Sequence, residues 1–323
     1  MNRYRRLRTL CWLALALAGM ATAGEAPPTH GYRVVDRFPH DPEAFTQGLV
    51  WADGRLYEST GIRGRSSLRE IDLASGRVVR SAALPRWQFG EGLAAAGDRL
   101  IQLTWHAGEA LVRDRESLRK VGILHYAGEG WGLAWDGRQL VMSDGSATLM
   151  FRDPDSFAEL AKLQVTAAGA PVSGLNELEV IDGEIWANVW GSERIARIDP
   201  GSGRVTSWVD LTGLRPEPAP GKPIDVLNGI AWDAGNERLF VTGKLWPWLY
   251  QIEIDAKIHS NVAGPAREST VHHRPCSDAA RSTRSGLYTV DAPAAYSPYP
   301  SRPSQALRAM PGAPQKTLNP GKD

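Results

Sequence analysis

Short apolar runs alternate with Gly- and Asp-rich turns along most of the chain, and one such line recurs five times. The lines are FTQGLVWADGRLYESTG (Phe45–Gly61), FGEGLAAAGDRLIQLTW (Phe89–Trp105), EGWGLAWDGRQLVMSDG (Glu129–Gly145), LNELEVIDGEIWANVW (Leu175–Trp190) and LNGIAWDAGNERLFVTGK (Leu227–Lys244). Each holds an apolar anchor, a Gly or Asp-Gly turn four or five residues on, and a second apolar run. The anchors Leu49, Leu93, Leu133, Leu178 and Ile230 lie 44, 40, 45 and 52 residues apart, which is the period of a four-stranded propeller blade. No window keeps a 3.6-residue period for three turns, so no helix is predicted.

Two further strands follow each of the first four lines, in Ser67–Leu84, Glu109–Tyr126, Ala147–Val165 and Arg194–Leu211. Ser75-Gly76, Asp153-Pro154 and Pro200-Gly201 supply turn chemistry between them. The fifth line is followed only by WLYQIEI (Trp248–Ile254) and lacks a fourth strand. YRVVDRF (Tyr32–Phe38), ahead of the first line, alternates like a half-buried strand and belongs to no repeat. Pairing these two ends leaves no open sheet edge. The predicted fold is all-β, a five-bladed β-propeller whose ring is closed by the N-terminal strand completing the last blade.

The chain ends set the expected boundaries. Residues 1–23 read as a signal peptide: Arg3, Arg5, Arg6 and Arg8 precede the apolar run Leu10–Met20, too short for a bilayer span, and Ala21-Thr22-Ala23 forms an A-x-A cleavage pattern. Cleavage removes four arginines and no acid, moving the net charge from +1 to −3. Such a charge argues against nucleic acid as a partner, and the mature chain is expected to be periplasmic or secreted and free of the membrane. Cys11 leaves with the leader, so Cys276 has no partner for a disulfide. Residues 24–257 form the expected propeller domain. Beyond them, residues 258–323 turn to Pro, Ala, Ser, Arg and His without apolar periodicity and read as a disordered or non-native tail, with His272-His273 solvated.

Candidate chemistry emerges when the lines are aligned on their anchors. Two residues before each anchor stand Gln47, Glu91, Trp131, Asn176 and Asn228; at the end of each second strand stand Gly61, Trp105, Gly145, Trp190 and Lys244. A packing ring would repeat aliphatic residues, as the anchors do. These two rings instead differ in every repeat and gather three tryptophans, three amides, one carboxylate and one ammonium. Function explains such broken symmetry at one end of an axis. Trp51, Trp135, Trp186 and Trp232 fall inside strands and read as packing, and Asp144 is either a ligand contact or a turn-former. His106 and His125 read as surface or packing residues, while Glu129 and Glu177 are weaker acid candidates, one step out of register. No zinc signature, phosphate loop or dinucleotide fingerprint is present.

FTQGL, FGEGL, LTW, EGWGL, LNELE, NVW, LNGIAW and VTGKLWP, in this order, resemble the plant-type glutaminyl-peptide cyclotransferases, from about Tyr32 to Ile254. The resemblance implies a five-bladed propeller that converts N-terminal glutamine of peptides and proteins to pyroglutamate with loss of ammonia, without catalytic zinc or a required cofactor. It implies Glu91 as the catalytic acid/base and Phe45, Gln47, Phe89, Trp105, Trp131, Asn176, Trp190 and Lys244 as substrate-pocket residues, and it allows a structural cation such as calcium in the channel. Two other readings stay open on the residues alone: a non-catalytic propeller binding peptide or sugar termini through the same aromatic mouth, and a metal-dependent hydrolase, which would need a cluster of Asp, Glu or His around the channel.

Overall fold

The computed structural model describes residues 25–258. The expected signal segment, both cysteines, His272-His273 and the expected tail beyond residue 258 lie outside them. Among the described residues there is no helix, only strands and turns.

A long first strand, β1 (Thr29–Pro39), precedes the repeats. Four antiparallel strands then follow in each of three sets: β2 (Thr46–Ala52), β3 (Arg55–Thr60), β4 (Ser67–Ile71) and β5 (Val78–Ala83); β6 (Gly90–Ala96), β7 (Arg99–Thr104), β8 (Glu109–Asp114) and β9 (Lys120–His125); β10 (Leu133–Trp135), β11 (Leu140–Met142), β12 (Thr148–Arg152) and β13 (Glu159–Gln164). A small hairpin, β14 (Thr166–Ala167) and β15 (Ala170–Pro171), turns through left-handed Ala168 and Gly169. The fourth set is β16 (Leu175–Ile181), β17 (Glu184–Val189), β18 (Arg194–Ile198) and β19 (Val205–Asp210), and the last strands are β20 (Leu227–Asp233), β21 (Arg238–Gly243) and β22 (Trp248–Ile258).

β1 completes the last set as the alternation in Tyr32–Phe38 predicts, running antiparallel to β22 from Tyr32↔Ile254 to Pro39↔Trp248. Both strands are longer than expected. The first residues of β1 also pair in parallel with β19, Thr29↔Trp208 and His30↔Val209, so the fourth and fifth sets share one eight-stranded sheet.

Burial falls from the first strand of each set to the fourth. β2, β6 and β20 are nearly continuous apolar or small-residue runs and almost wholly buried, whereas β5, β9 and β13 are largely exposed. The anchors are at most 1% exposed, and the first strands touch in a closed circuit, β2 to β6 to β10 to β16 to β20 and back to β2. Between neighbouring sets lie the apolar clusters, which take in Trp51, Trp135, Trp186 and Trp232 as packing residues. Buried apolar area of this kind contributes on the order of 25 cal/mol per Å² and is what holds the sets to one another.

The outer hairpins turn on a rule that the dipeptide reading does not capture. Asp72, Asp114, Asp153 and Asp199 each accept, on one oxygen, the backbone N–H and the hydroxyl of the Ser three residues on. The residue after each Ser is left-handed, with φ of 66° at Gly76, 56° at Leu118, 61° at Phe157 and 71° at Gly203. The repeated unit is therefore Asp-x-x-Ser. Its side-chain bonds hold the turn whether or not glycine follows.

Candidate active site

The ring two residues before the anchors is made by an irregularity of the strands. In four sets the ladder slips just ahead of the anchor, between Thr46 and Gly48, Gly90 and Leu93, Leu175 and Leu178, and Leu227 and Ile230. A bulge takes residues out of the ladder and re-aims them; here those residues include Gln47, Glu91, Asn176 and Asn228. In the third set, Trp131 precedes the short β10, and its carbonyl accepts the Gly92 N–H at 2.7 Å.

The position directly before the anchor is glycine in four sets; at Gly48, Gly92 and Gly132 the next first strand passes too close for a side chain, and Gly229 has φ of 126°. A Cβ on Gly92 would lie 2.5 Å from Leu133 N, and one on Gly132 only 1.9 Å from Asn176 O. The exception is Glu177. Its buried carboxyl accepts Leu49 N–H at 3.2 Å and Ile230 N–H at 2.9 Å, tying the fourth first strand to the first and fifth. Burial holds its pKa well above the usual carboxylate range, and Glu179 adds to the rise. Its one-step offset thus reflects a bracing role between strands.

The aromatic candidates form a continuous wall. Phe45 meets Phe89 edge-on at 6.1 Å, Phe89 meets Trp105 at 5.7 Å, and Trp131 meets Trp190 at 6.3 Å. Trp105 is 6% exposed, whereas Trp190 is 42% exposed. The ring glycines make room for this wall: a Cβ on Gly61 would stand 2.4 Å from the Phe89 ring, and one on Gly145 2.7 Å from the Trp131 ring. The indole N–H groups of Trp105 and Trp131 both donate to Glu129 Oε2, at 2.9 and 3.1 Å.

Polar groups meet behind the aromatics. Gln47 Nε2 donates to Glu91 Oε1 at 3.0 Å, and Asn228 Nδ2 donates to Thr46 O at 3.0 Å and to Gln47 Oε1 at 3.4 Å. Glu91 and Lys244 are each 1% exposed. Burial drives the Glu91 carboxyl well above its ordinary range; the Lys244 charge opposes the rise and that of Glu129 adds to it. Burial likewise pushes the Lys244 ammonium down, against Glu91 and Asp225. Burial dominates at both, so both are shifted toward their neutral forms. Lys244 Nζ lies 5.0 Å from the centre of the Phe45 ring and, like both amide atoms of Asn176, has no hydrogen-bond partner among the described residues.

Glu91, Gln47 and Asn228 thus form one hydrogen-bonded chain, Lys244 interacts electrostatically with Glu91, and Phe45, Phe89, Trp105, Trp131 and Trp190 build the wall. Asp144 is a turn-former, accepting the Ser146 N–H at 3.0 Å. Glu129, set aside on register, joins two of the wall's tryptophans; anchor alignment misses it because it precedes its strand, and the repeated Trp at the wall was the available signal. His106 stacks on Trp105 with ring centres 3.8 Å apart, and its Nδ1 lies 3.8 Å from Glu129 Oε1. His125 lies exposed on β9.

A cavity of about 400 Å³ opens at the other end of the first strands, among Val50, Trp51, Ala94, Ala134, Trp135 and Glu179, and no ring residue lines it. Among the described residues no group of three or more His, Cys, Asp or Glu is arranged to hold a metal ion.

Fold and site together define an all-β protein with a buried acid, Glu91, beside aromatic rings at one end of its first strands. The glutamine cyclotransferase family profile matches residues 7–254, and the chain belongs to that family. It is 48% identical, over 225 residues, to a glutaminyl-peptide cyclotransferase of Arabidopsis thaliana, covering 68% of this chain and 70% of the relative. The crystal structure of Myxococcus xanthus glutaminyl cyclase is similar with a TM-score of 0.66 and 39% identity, across 71% of this chain and 98% of that one.

Proposed function

We propose that this chain is a glutaminyl-peptide cyclotransferase that turns the N-terminal glutamine of peptides and proteins into pyroglutamate and releases ammonia, with Glu91 as general acid/base and no catalytic zinc. The observation that carries the reading is Glu91 itself, a carboxyl fully buried beside aromatic rings and shifted toward its neutral form. A carboxyl tuned upward can both give and take a proton near neutral pH.

In this reading the glutamine side chain folds into the space walled by Phe45, Phe89, Trp105, Trp131 and Trp190, which excludes water and brings the α-amine to its own side-chain amide carbon. The amine nitrogen bonds to that carbon, and the bond to the amide nitrogen breaks. Glu91 passes a proton from the attacking to the departing nitrogen, with Gln47 fixing its orientation. The unpartnered Asn176 amide and Lys244 ammonium are the donors at hand for the oxyanion that develops between those steps.

The accompanying fold reading is a five-bladed propeller over residues 24–257, supported by the closed circuit of first strands and the completion of the last set by β1. Export to the periplasm or exterior rests on the pattern in residues 1–23. The test is ammonia release from a short peptide beginning with Gln, with and without chelator. Turnover is expected in both conditions, and Glu91→Gln is expected to lower it by about 10² to 10⁴ while leaving the unfolding temperature near wild type. Retention of more than about a tenth of wild-type activity would contradict the shuttle role.

A further inference from the structure

The reaction proposed above moves two protons, and Glu91 holds one at a time. The substrate enters with an α-ammonium carrying three hydrogens; the lactam nitrogen keeps one, and the side-chain NH₂ gains the other two and leaves as ammonium. The first proton must come off before the nitrogen has a lone pair with which to attack. Glu91 serves the second of these transfers, between the attacking and the departing nitrogen, so the first proton needs another receiver.

Glu129 stands where such a proton can be received. The indole N–H bonds of Trp105 and Trp131 hold its Oε2 between two aromatic walls of the pocket. Its other oxygen lies 3.8 Å from His106 Nδ1. The side chain is 34% exposed, whereas Glu91 is 1% exposed, so Glu129 is the carboxyl of the two that lies open to solvent. The titratable groups around it are His106, stacked on Trp105, and Glu91 on β6, which itself interacts electrostatically with Lys244 after β21.

We propose that Glu129 is a second catalytic group, the carboxylate that receives the substrate's α-ammonium and takes its first proton. The neutral amine then attacks the amide carbon. Glu91 gives its proton to the departing nitrogen and regains one from the attacking nitrogen, so that ammonia leaves and the lactam keeps a single hydrogen. Ammonia takes the proton held on Glu129 and departs as ammonium, which restores both carboxyl groups. This role rests on the cyclotransferase reading.

The test compares kcat/KM for ammonia release by wild type and Glu129→Gln from pH 6 to 9.5, on a peptide beginning with Gln. Glutamine keeps a carbonyl oxygen for the indoles and removes the base. A free α-amine has a pKa of about 7.7–8.0, so only about 1–2% is neutral at pH 6 and most is neutral above pH 9. The variant is expected to fall by about 10² at pH 6, with the gap closing to within about threefold above pH 9. Glu129→Asp, which keeps a carboxylate, is expected to exceed Glu129→Gln at pH 6. A deficit equal at every pH, no deficit, or an Asp variant no better than Gln overturns the proposal. Wild type that releases no ammonia at any pH overturns the activity itself, whereas an active wild type with a pH-independent deficit in Glu129→Gln removes only the role of Glu129.

Discussion

Replacing His40 with Leu should weaken the fold in a pH-dependent way. His40 lies between β1 and β2, 6% exposed, with its Nδ1 2.7 Å from Trp246 O and its Nε2 3.0 Å from Glu58 Oε1. Both neighbours are acceptors, an arrangement that favours the imidazolium form, in which both ring nitrogens donate. Thr46 Oγ1 also donates to Glu58 Oε1, at 2.7 Å, and Arg69 Nη1 lies 3.8 Å from Glu58 Oε2. His40 thereby clasps the turn after Lys244 to the first set, alongside Leu245 N–H on Ala44 O at 2.7 Å. Breaking a buried pair by removing one partner costs about 3–5 kcal/mol, which for a domain of this size lowers Tm by roughly 6–20 °C. Although burial opposes it, Glu58 holds the His40 pKa above its ordinary 6.5, so that part of the stability is present below 6.5 and is lost as pH rises through the raised value. His40, against the same opposition from burial, holds Glu58 below its ordinary 4.5, and that part is present above 4.5 and lost as pH falls through the lowered value. The Tm difference between wild type and His40→Leu, followed by circular dichroism, should therefore be largest between about pH 5 and 6.5 and shrink in alkali. A difference below about 2 °C at pH 6, or one unchanged at pH 10, would refute the clasp.

Two further substitutions probe the site's frame. Gly145→Ala, with φ of 82° and a Cβ 2.7 Å from the Trp131 ring, should cost about 1–3 kcal/mol and lower kcat/KM at least tenfold, read by thermal melts and ammonia release. Glu177→Ala removes the acceptor of two buried backbone N–H groups and should lower the urea midpoint by the equivalent of about 2–6 kcal/mol, with Glu177→Gln costing less. Because the raised pKa of Glu177 makes its wild-type contribution fall as pH rises above the ordinary 4.5, the deficit of Glu177→Ala should narrow from pH 5 to pH 8.

Much of this was legible because repetition exposes what single strands hide. Five anchors in one register located the first strands, and the unpaired WLYQIEI made the partner of Tyr32–Phe38 a matter of counting. Other features were hidden because they are deviations from a strand. The register slips at Gln47, Glu91, Asn176 and Asn228 leave no mark in a two-residue periodicity. The Asp-x-x-Ser turns were masked by the glycines and prolines that occupy some of their positions, and Leu118 and Phe157 show why dipeptide rules fail there: both are left-handed, yet 4% and 1% exposed. Glu129 lay outside the aligned register, and its connection to two tryptophans appears only in three dimensions.

The bulges explain how a repeated fold comes to hold an unrepeated site. Close approach of neighbouring first strands fixes glycine before three anchors, at Gly48, Gly92 and Gly132, and the slips at Gln47, Glu91, Asn176 and Asn228 take those side chains out of the two-residue ladder pattern, so these positions can differ from set to set. The fourth set follows a different course. Glu177 replaces the glycine and satisfies backbone N–H groups of two other strands, while Asn176 beside it keeps both amide atoms buried and unpartnered among the described residues. An unsatisfied buried polar group costs about 1–3 kcal/mol, and Lys244 Nζ stands in the same condition. Two such groups, one of them in electrostatic interaction with the buried Glu91 carboxyl, lower the stability of the fold and remain open to a hydrogen bond from a ligand. In the proposed reaction such groups are oriented before charge develops, so little reorganisation would be left for that moment.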